Sequence, residues 1–477
     1  MQFPTVQFAL FFLLVLSISW LVRRKRTYQK IFLLAASYFF YGWWDWRFCI
    51  LLLASSMIDY VAGEGIVRAE QNQRKKKIWL WVSIIGNLGL LGFFKYYNFF
   101  QENVAQLADL LALQAHLPVL EVILPVGISF YTFQSLAYTF DLYFGHGQKA
   151  ESLLDFLLFI SFFPQLILGP ICRSKDLLPQ LMREAPEQIP DLTRAVRLIS
   201  SGLIKKVFLA TFLATHLVND AFVSPENYSS LELLTAMYAY SAMVYLDFSG
   251  YTDMARGTGL LLGFHLPKNF NAPYAATNIG EFWRRWHMSY SRWLRDYIYF
   301  PLGGSKGRPL RTYFNLGVTF LVGGLWHGAH WKFVIWGAIH AIALITYKAS
   351  LDIRRALGWK FKKVHPWWYL LWGWLLTFHV CVGARIFFRS VDMETVGMFF
   401  SRLFEFSTYG RGLEVMLLLV TAFGIGLNFY GRYIKQAFDW SHDRIPGWSK
   451  PLVWAAIAWF ILTLKPADVA PYIYSQF

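Results

Sequence analysis

Run after run of apolar residues leaves this chain few choices of fold. In the first half these are Phe8 to Val22, Ile31 to Trp44, Phe48 to Ala62, Ile78 to Phe94, Leu120 to Phe140 and Phe156 to Ile171. In the second half they are Leu231 to Phe248, Tyr313 to Trp326, Phe333 to Tyr347, Trp367 to Phe388, Val415 to Phe429 and Val453 to Leu464. Crossing about 30 Å of hydrocarbon takes about 20 predominantly apolar residues. Inside lipid the backbone must satisfy its own hydrogen bonds, which leaves helices or a closed barrel, and runs of this length are helical. The expectation is an all-α integral membrane protein with about 11 transmembrane helices, the shorter runs being tilted, re-entrant, interfacial or broken. Hydrophobic residues make up 56% of the chain, above the roughly 45–50% of soluble domains, so no large soluble part is hidden among them. Without a low-complexity linker, a soluble insert or an internal repeat, residues 1–477 read as one membrane domain.

Charge follows the same logic. The first apolar run is followed by Arg23-Arg24-Lys25-Arg26 and by no small-residue cleavage site, so it reads as a retained helix and not as a leader. With that cluster and Arg74-Lys75-Lys76-Lys77 inside, and Asp45-Trp46-Arg47 outside, the parity of crossings places the N-terminus externally. The net charge of +16 sits in loops beside apolar runs, where anionic lipid is its partner. No recognition fold accompanies it, so nucleic acid is not expected. Cys49, Cys172 and Cys381 lie far apart in apolar surroundings and form neither metal-ligand spacing nor a disulfide framework. Ile204 to Phe222 mixes Lys205-Lys206 with apolar residues at helical spacing and reads as an interfacial helix.

Chemistry-bearing residues concentrate between 245 and 331. Asp247 and Asp253 flank Ser249, Gly250 and Thr252, a pattern that suggests a break at the end of a membrane helix. The two carboxylates either satisfy backbone or basic groups or act on a substrate. Asn278 and Glu281 stand at capping-box spacing and open a helix through Phe282 to Ser289. On it Trp283, His287, Tyr290 and Leu294 share one face, and Arg284, Met288, Ser291 and Arg295 the neighbouring one. Gly303 and Gly304 precede Lys306, Arg308 and Arg311. That loop either holds a phosphate-bearing ligand or is a basic cytoplasmic turn, and it is not a P-loop.

His327 lies in Gly323-Gly324-Leu325-Trp326-His327-Gly328-Ala329-His330-Trp331. Ionisable groups at membrane depth are costly. Small neighbours let a substrate or another backbone approach the ring. A buried neutral imidazole can accept a hydroxyl proton, which is general-base capability. His327, His330 and His340 raise a metal site as a rival, but the remaining histidines are scattered and not clustered in boxes. No Gly-x-Ser-x-Gly elbow is present, which favours base-assisted acyl transfer over a serine intermediate.

These motifs, with Arg292-Trp293-Leu294-Arg295-Asp296-Tyr297, Leu302-Gly303-Gly304, Ala36 to Trp44, Leu124 to Tyr131, Phe163 to Pro170 and Ile204-Lys205-Lys206, resemble the membrane-bound O-acyltransferase (MBOAT) family. Within it they resemble the alginate O-acetyltransferase branch, as does the terminal stretch Ala470 to Phe477. The resemblance implies a helical bundle around a central tunnel. It matches His327 to the family histidine and His287 to a second polar position; with that tunnel in view, Trp326, Asp247, Asp253 and Arg284 are expected along it, and the placement of Lys306, Arg308 and Arg311 before the run with His327 puts them near the donor phosphates. It further implies no tightly bound cofactor, an acyl thioester such as acetyl-CoA as cytosolic donor, a location in the inner (plasma) membrane among lipid, and an exported polysaccharide or an SGNH-hydrolase-like periplasmic protein as acceptor. A sister branch transfers D-alanine to teichoic acid, and a non-enzymatic transporter is the reading from a different class.

Overall fold

The computed structural model describes residues 1, 3–111, 113, 118, 120, 123–359, 366–408, 410 and 412–463. The terminal stretch Ala470 to Phe477 lies outside them. Backbone packing divides the chain into two compact units, residues 1–195 with 254–267, and residues 196–253 with 268–477.

The described elements are helices: α1 Val6–Leu21, α2 Arg26–Gly42, α3 Arg47–Arg68, α4 Gln73–Leu110, α5 Ile128–Phe144, α6 Leu153–Ser161, α7 Ser174–Met182, α8 Leu192–Ala221 and α9 Ser230–Leu261. They continue as α10 Ile279–Arg285, α11 Met288–Leu294, α12 Pro309–His327, α13 Trp331–Ala356, α14 Trp367–Arg389, α15 Met393–Phe404, α16 Val415–Arg444 and α17 Lys450–Thr463. Among the described residues six are long and apolar enough to cross a membrane: α3, α4, α8, α13, α14 and α16. α1 is a shorter apolar helix of 16 residues. The all-helical membrane architecture expected from the apolar runs is therefore present.

In the first unit, phenylalanines from α1 and α2 gather around Phe163, with ring centroids 5.4 Å from Phe11 and 5.5 Å from Phe40. In the same unit, α3, α4 and α5 share a buried polar cluster. Asp59 accepts from Ser83 Oγ at 2.5 Å and from Asn87 Nδ2 at 2.7 Å, and Ser83 Oγ also meets Thr139 Oγ1 at 2.8 Å. A buried carboxyl group is tolerable only with its oxygens satisfied in this way.

The second unit holds the motifs. α8, expected as an interfacial helix, is long and apolar enough by length and composition to cross a membrane. Its two lysines are paired: Lys206 Nζ is 2.5 Å from Asp247 Oδ1 and Lys205 Nζ is 2.7 Å from Asp253 Oδ2. The break expected near Gly250 is absent, because α9 runs through it as a helix of 32 residues. Gly250 instead allows close approach of α8: a Cβ there would lie 2.9 Å from the Gly202 carbonyl oxygen.

α12 and α13 form the tightest pair. A Cβ on Gly324 would meet the Phe333 carbonyl oxygen at 2.3 Å, and one on Gly337 the Phe320 carbonyl oxygen at 2.4 Å. The glycine before the histidine is thus consumed by a second backbone. The turn joining the helices is pinned twice. His330 Nδ1 accepts from Lys332 N at 3.2 Å, and Lys332 Nζ donates to the Ser390 and Val391 carbonyls just beyond α14.

Candidate active site

The helix expected through Phe282 to Ser289 is two short helices, with a break at Trp286-His287. Asn278 does cap the first, its Oδ1 accepting from Glu281 N at 2.8 Å, while the Glu281 carboxylate reaches back to Thr277 N at 2.8 Å. At the break His287 adopts φ 39° and ψ 57°, a left-handed conformation that costs a residue with a Cβ roughly 1–2 kcal/mol. Asn269 holds it there. Its carbonyl oxygen accepts from Met288 N at 2.9 Å, and its Oδ1 accepts from Ser289 N at 3.1 Å and Ser289 Oγ at 2.6 Å. Strain at one over-determined residue is a mark of functional sites. Here it turns the imidazole away from the line of the preceding helix.

His287 is 1% exposed and His327 is 4% exposed. Between them stands Tyr290, whose ring stacks on His287 at 4.9 Å and lies 5.4 Å from His327. Tyr290 Oη donates to the Gly323 carbonyl at 2.7 Å, which fixes that ring against α12. Trp326 stacks on Tyr290 at 4.6 Å and lies 5.0 Å from His327. Phe248 closes the far side of His287 at 4.7 Å, and Trp336 and Phe388 close that of His327 at 4.8 and 5.1 Å. Two imidazoles thus share one aromatic enclosure, although the break at His287 interrupts the single helix face expected for Trp283, His287 and Tyr290. An imidazole walled by rings and shielded from water can take a hydroxyl proton without bulk solvent competing for it.

The remaining sequence candidates are distributed differently. Trp326 belongs to the enclosure. Asp247 and Asp253 bind the lysines of α8, while Arg284 is exposed on α10. Lys306 and Arg308 in the loop before α12 and Arg311 in its first turn are exposed together, and Arg311 Nη2 donates to the Leu302 carbonyl at 3.3 Å. His327 ends that helix of 19 residues. At 1.5 Å per residue the loop and the imidazole are about 27 Å apart. Among the described residues no three His, Cys, Asp or Glu side chains come together as a metal site.

Sequence reasoning passed over Phe388 and Trp336 as partners of His327, and gave Tyr290 no role beyond a helix face. Tyr290 carried a signal, its spacing of three from His287. Phe388 carried none, since it comes from α14, far along the chain.

With this geometry in place, comparison with known proteins is specific. A model of the membrane-bound O-acyltransferase family matches residues 146–389, the stretch that contains both histidines and the ion-paired lysines. The probable alginate O-acetylase AlgI of Pseudomonas aeruginosa is 37% identical over 384 residues, 80% of this chain and 71% of that protein. The peptidoglycan O-acetyltransferase of Helicobacter pylori is 37% identical over 394 residues, 77% of this chain and 72% of that protein. The teichoic acid D-alanyltransferase of Bacillus subtilis is 30% identical over 289 residues, 57% of this chain and 71% of that protein. The chain belongs to the membrane-bound O-acyltransferase family and is an acyltransferase, not a transporter without chemistry.

Proposed function

We propose that this protein is an O-acetyltransferase of the inner membrane, taking acetyl groups from cytosolic acetyl-CoA for O-acetylation of an exported cell-envelope polysaccharide, through a periplasmic SGNH-hydrolase-like partner. The observation that carries the reading is the enclosure of His327 by Tyr290, Trp326, Trp336 and Phe388 at the end of α12. In this reading His327 accepts the proton of an acceptor hydroxyl as its oxygen attacks the thioester carbonyl. The carbon–sulfur bond then breaks, and the departing thiolate takes up a proton. His287 and Trp326 shape the slot along which the acyl group lies. Lys306, Arg308 and Arg311 meet the donor phosphates one helix length away. Acetyl is favoured over D-alanyl because two relatives named for acetyl transfer match at 37% over more than three quarters of the chain, whereas the D-alanyltransferase matches at 30% over 57% of it.

The test uses purified full-length protein with acetyl-labelled acetyl-CoA, together with the acetyl content of envelope polysaccharide in a deletion strain. His327-dependent release of CoA and loss of polysaccharide acetyl groups are expected. No thioester cleavage with acetyl-CoA, or unchanged acetylation in the deletion strain, would reject the reading.

A further inference from the structure

One ring away from His327 lies a second feature that the acyl-transfer chemistry does not use. Trp336 and Phe388, which wall His327, also line a small cavity of about 20 Å³ whose other sides include Tyr240, Trp283, Trp286, His340, Cys381 and Arg385. That volume is the space open to the centres of water-sized atoms, so a planar group of a few heavy atoms fits within it. Tyr240 is 0% exposed, His340 2%, and Trp283 and Arg385 6% each. Tyr240 Oη, Trp283 Nε1 and His340 Nδ1 have no hydrogen-bonding partner among the described residues. Buried polar atoms are seldom left so, and three on one cavity call for a ligand.

Arg385 fixes the ligand's charge. Its Nη1 donates to Tyr274 Oη and, at 3.3 Å, to the Ser241 carbonyl, and its guanidinium lies over the Trp286 ring at 4.6 Å and the Tyr274 ring at 5.1 Å. Among the described residues no carboxylate pairs with it. Ring faces offset part of a buried cation's cost, but an anion offsets far more. Every polar group on the cavity wall can also donate: the guanidinium, the indole N–H, the phenol O–H and the imidazole in its Nδ1–H tautomer. A set made of donors around a cation selects an anionic oxygen group. The planar pair of oxygens on a carboxylate matches the guanidinium fork and the narrow space better than a tetrahedral phosphate does.

We propose that this cavity is a carboxylate subsite of the acyltransferase, in which Arg385, Trp283, Tyr240 and His340 hold an anionic oxygen group next to the His327 enclosure. The proposal rests on the acyl-transfer reading for its role and on the cavity alone for its binding. Two sources supply such a group: acetate, released with free thiol when water cleaves the acetyl thioester, and the carboxylate of an acidic acceptor sugar.

The experiment measures thermal unfolding of the full-length protein in detergent, titrated with sodium acetate, sodium glucuronate and glucose at constant ionic strength set by sodium chloride. A ligand of the folded state raises Tm in a saturable way. A saturable rise with acetate alone assigns the subsite to the product, and a rise with glucuronate assigns it to the acceptor. Trp283→Phe keeps the ring and removes one donor, and His340→Phe does the same for the imidazole. Each should weaken the apparent affinity about tenfold, the size of one charge-assisted hydrogen bond. Arg385→Lys keeps the charge and loses the fork, so it should weaken binding as well. No carboxylate-specific rise in the wild-type protein, or unchanged affinity in both ring-conserving variants, overturns the proposal. The same titration on His327→Ala protein separates the two readings, because the subsite binds there even when acyl transfer is lost.

Discussion

The second unit keeps ionisable groups out of water in two opposite ways. Between α8 and α9 two lysines are answered by carboxylates: Lys206 faces Asp247 at 2.5 Å with both side chains at 3% exposure or less, and Lys205 faces Asp253 at 2.7 Å. At the end of α12 His327 and His287 are enclosed by tyrosine, tryptophan and phenylalanine rings. A buried ion pair fixes helices but leaves neither group free to change charge, since losing one partner strands the other. An imidazole between rings holds its position by shape and keeps its protonation available for chemistry. In the proposed reading, the comparison separates residues that fix architecture from residues that serve the reaction.

Removing the enclosed base should give the largest effect on rate. His327→Ala, and the bulk-conserving His327→Gln, should each lower acyl transfer by about 10²–10⁴ while protein level in the membrane stays near wild type. Acetyl release from labelled donor and quantified membrane expression are the measurements, and wild-type turnover in either variant would remove the base from α12. The ion pair should behave in the reverse manner. Asp247→Asn leaves the Lys206 ammonium buried without its carboxylate, which typically costs about 3–5 kcal/mol and should appear as a lower Tm and reduced yield. The double change Lys206→Met with Asp247→Leu should recover most of that stability. Full stability with lost activity in Asp247→Asn would move this carboxylate from architecture to chemistry.

Much of this contrast is legible in the sequence, and the part that is not has physical causes. Apolar runs of membrane length announce the helices because lipid permits little else. The glycines before His327 announce close approach, but they cannot say whether a substrate or a neighbouring helix arrives; α13 takes that place at Gly324 and Tyr290 takes it at Gly323. Charged residues are incomplete signals for a related reason. Lys205 and Lys206 show their helical spacing but not their partners, which lie on the next helix at Asp247 and Asp253. The helix expected through His287 fails because helical periodicity carries no information about Asn269, whose hydrogen bonds hold the left-handed break. Arg385 and Phe388, three apart on α14, and Tyr240 on α9 give no local pattern, since the cavity they face is completed by other stretches of chain.

His287 sharpens the comparison at intermediate size. It shares the enclosure but ends no helix, and its strained backbone suggests placement more than proton transfer. His287→Gln retains a polar side chain and should keep activity within about tenfold of wild type, roughly the worth of one hydrogen bond. His287→Ala should fall further, by losing the ring that stacks on Tyr290 at 4.9 Å. Rates of both variants, measured on protein shown to be folded, decide the matter. Equal and complete loss in the two would make this imidazole a second proton-transfer group.

The smallest effect is expected where charge is exposed, at Lys306, Arg308 and Arg311. These exposed side chains lie at the start of α12, at the opposite end of a 19-residue helix from His327, and so cannot touch the bond that breaks. Exposed charges are each worth little, about 0.2–1 kcal/mol, but three that converge on donor phosphates add to a roughly tenfold change in affinity. The triple alanine variant should therefore raise the apparent KM for acetyl-CoA about tenfold and leave kcat near wild type, the pattern of an interaction made equally in ground and transition states. Higher salt should erode the wild-type advantage and leave the variant unchanged, because screening acts on charges it no longer carries. The alternative is a loop whose charge only holds it on the cytosolic side. Ser305→Cys distinguishes the two when labelled from each side of the membrane alongside donor titration. Cytosolic labelling with a raised KM places the donor phosphates here. Labelling from the periplasm, or an unchanged KM, removes the loop from donor binding and leaves the aromatic enclosure as the part of α12 that serves the reaction.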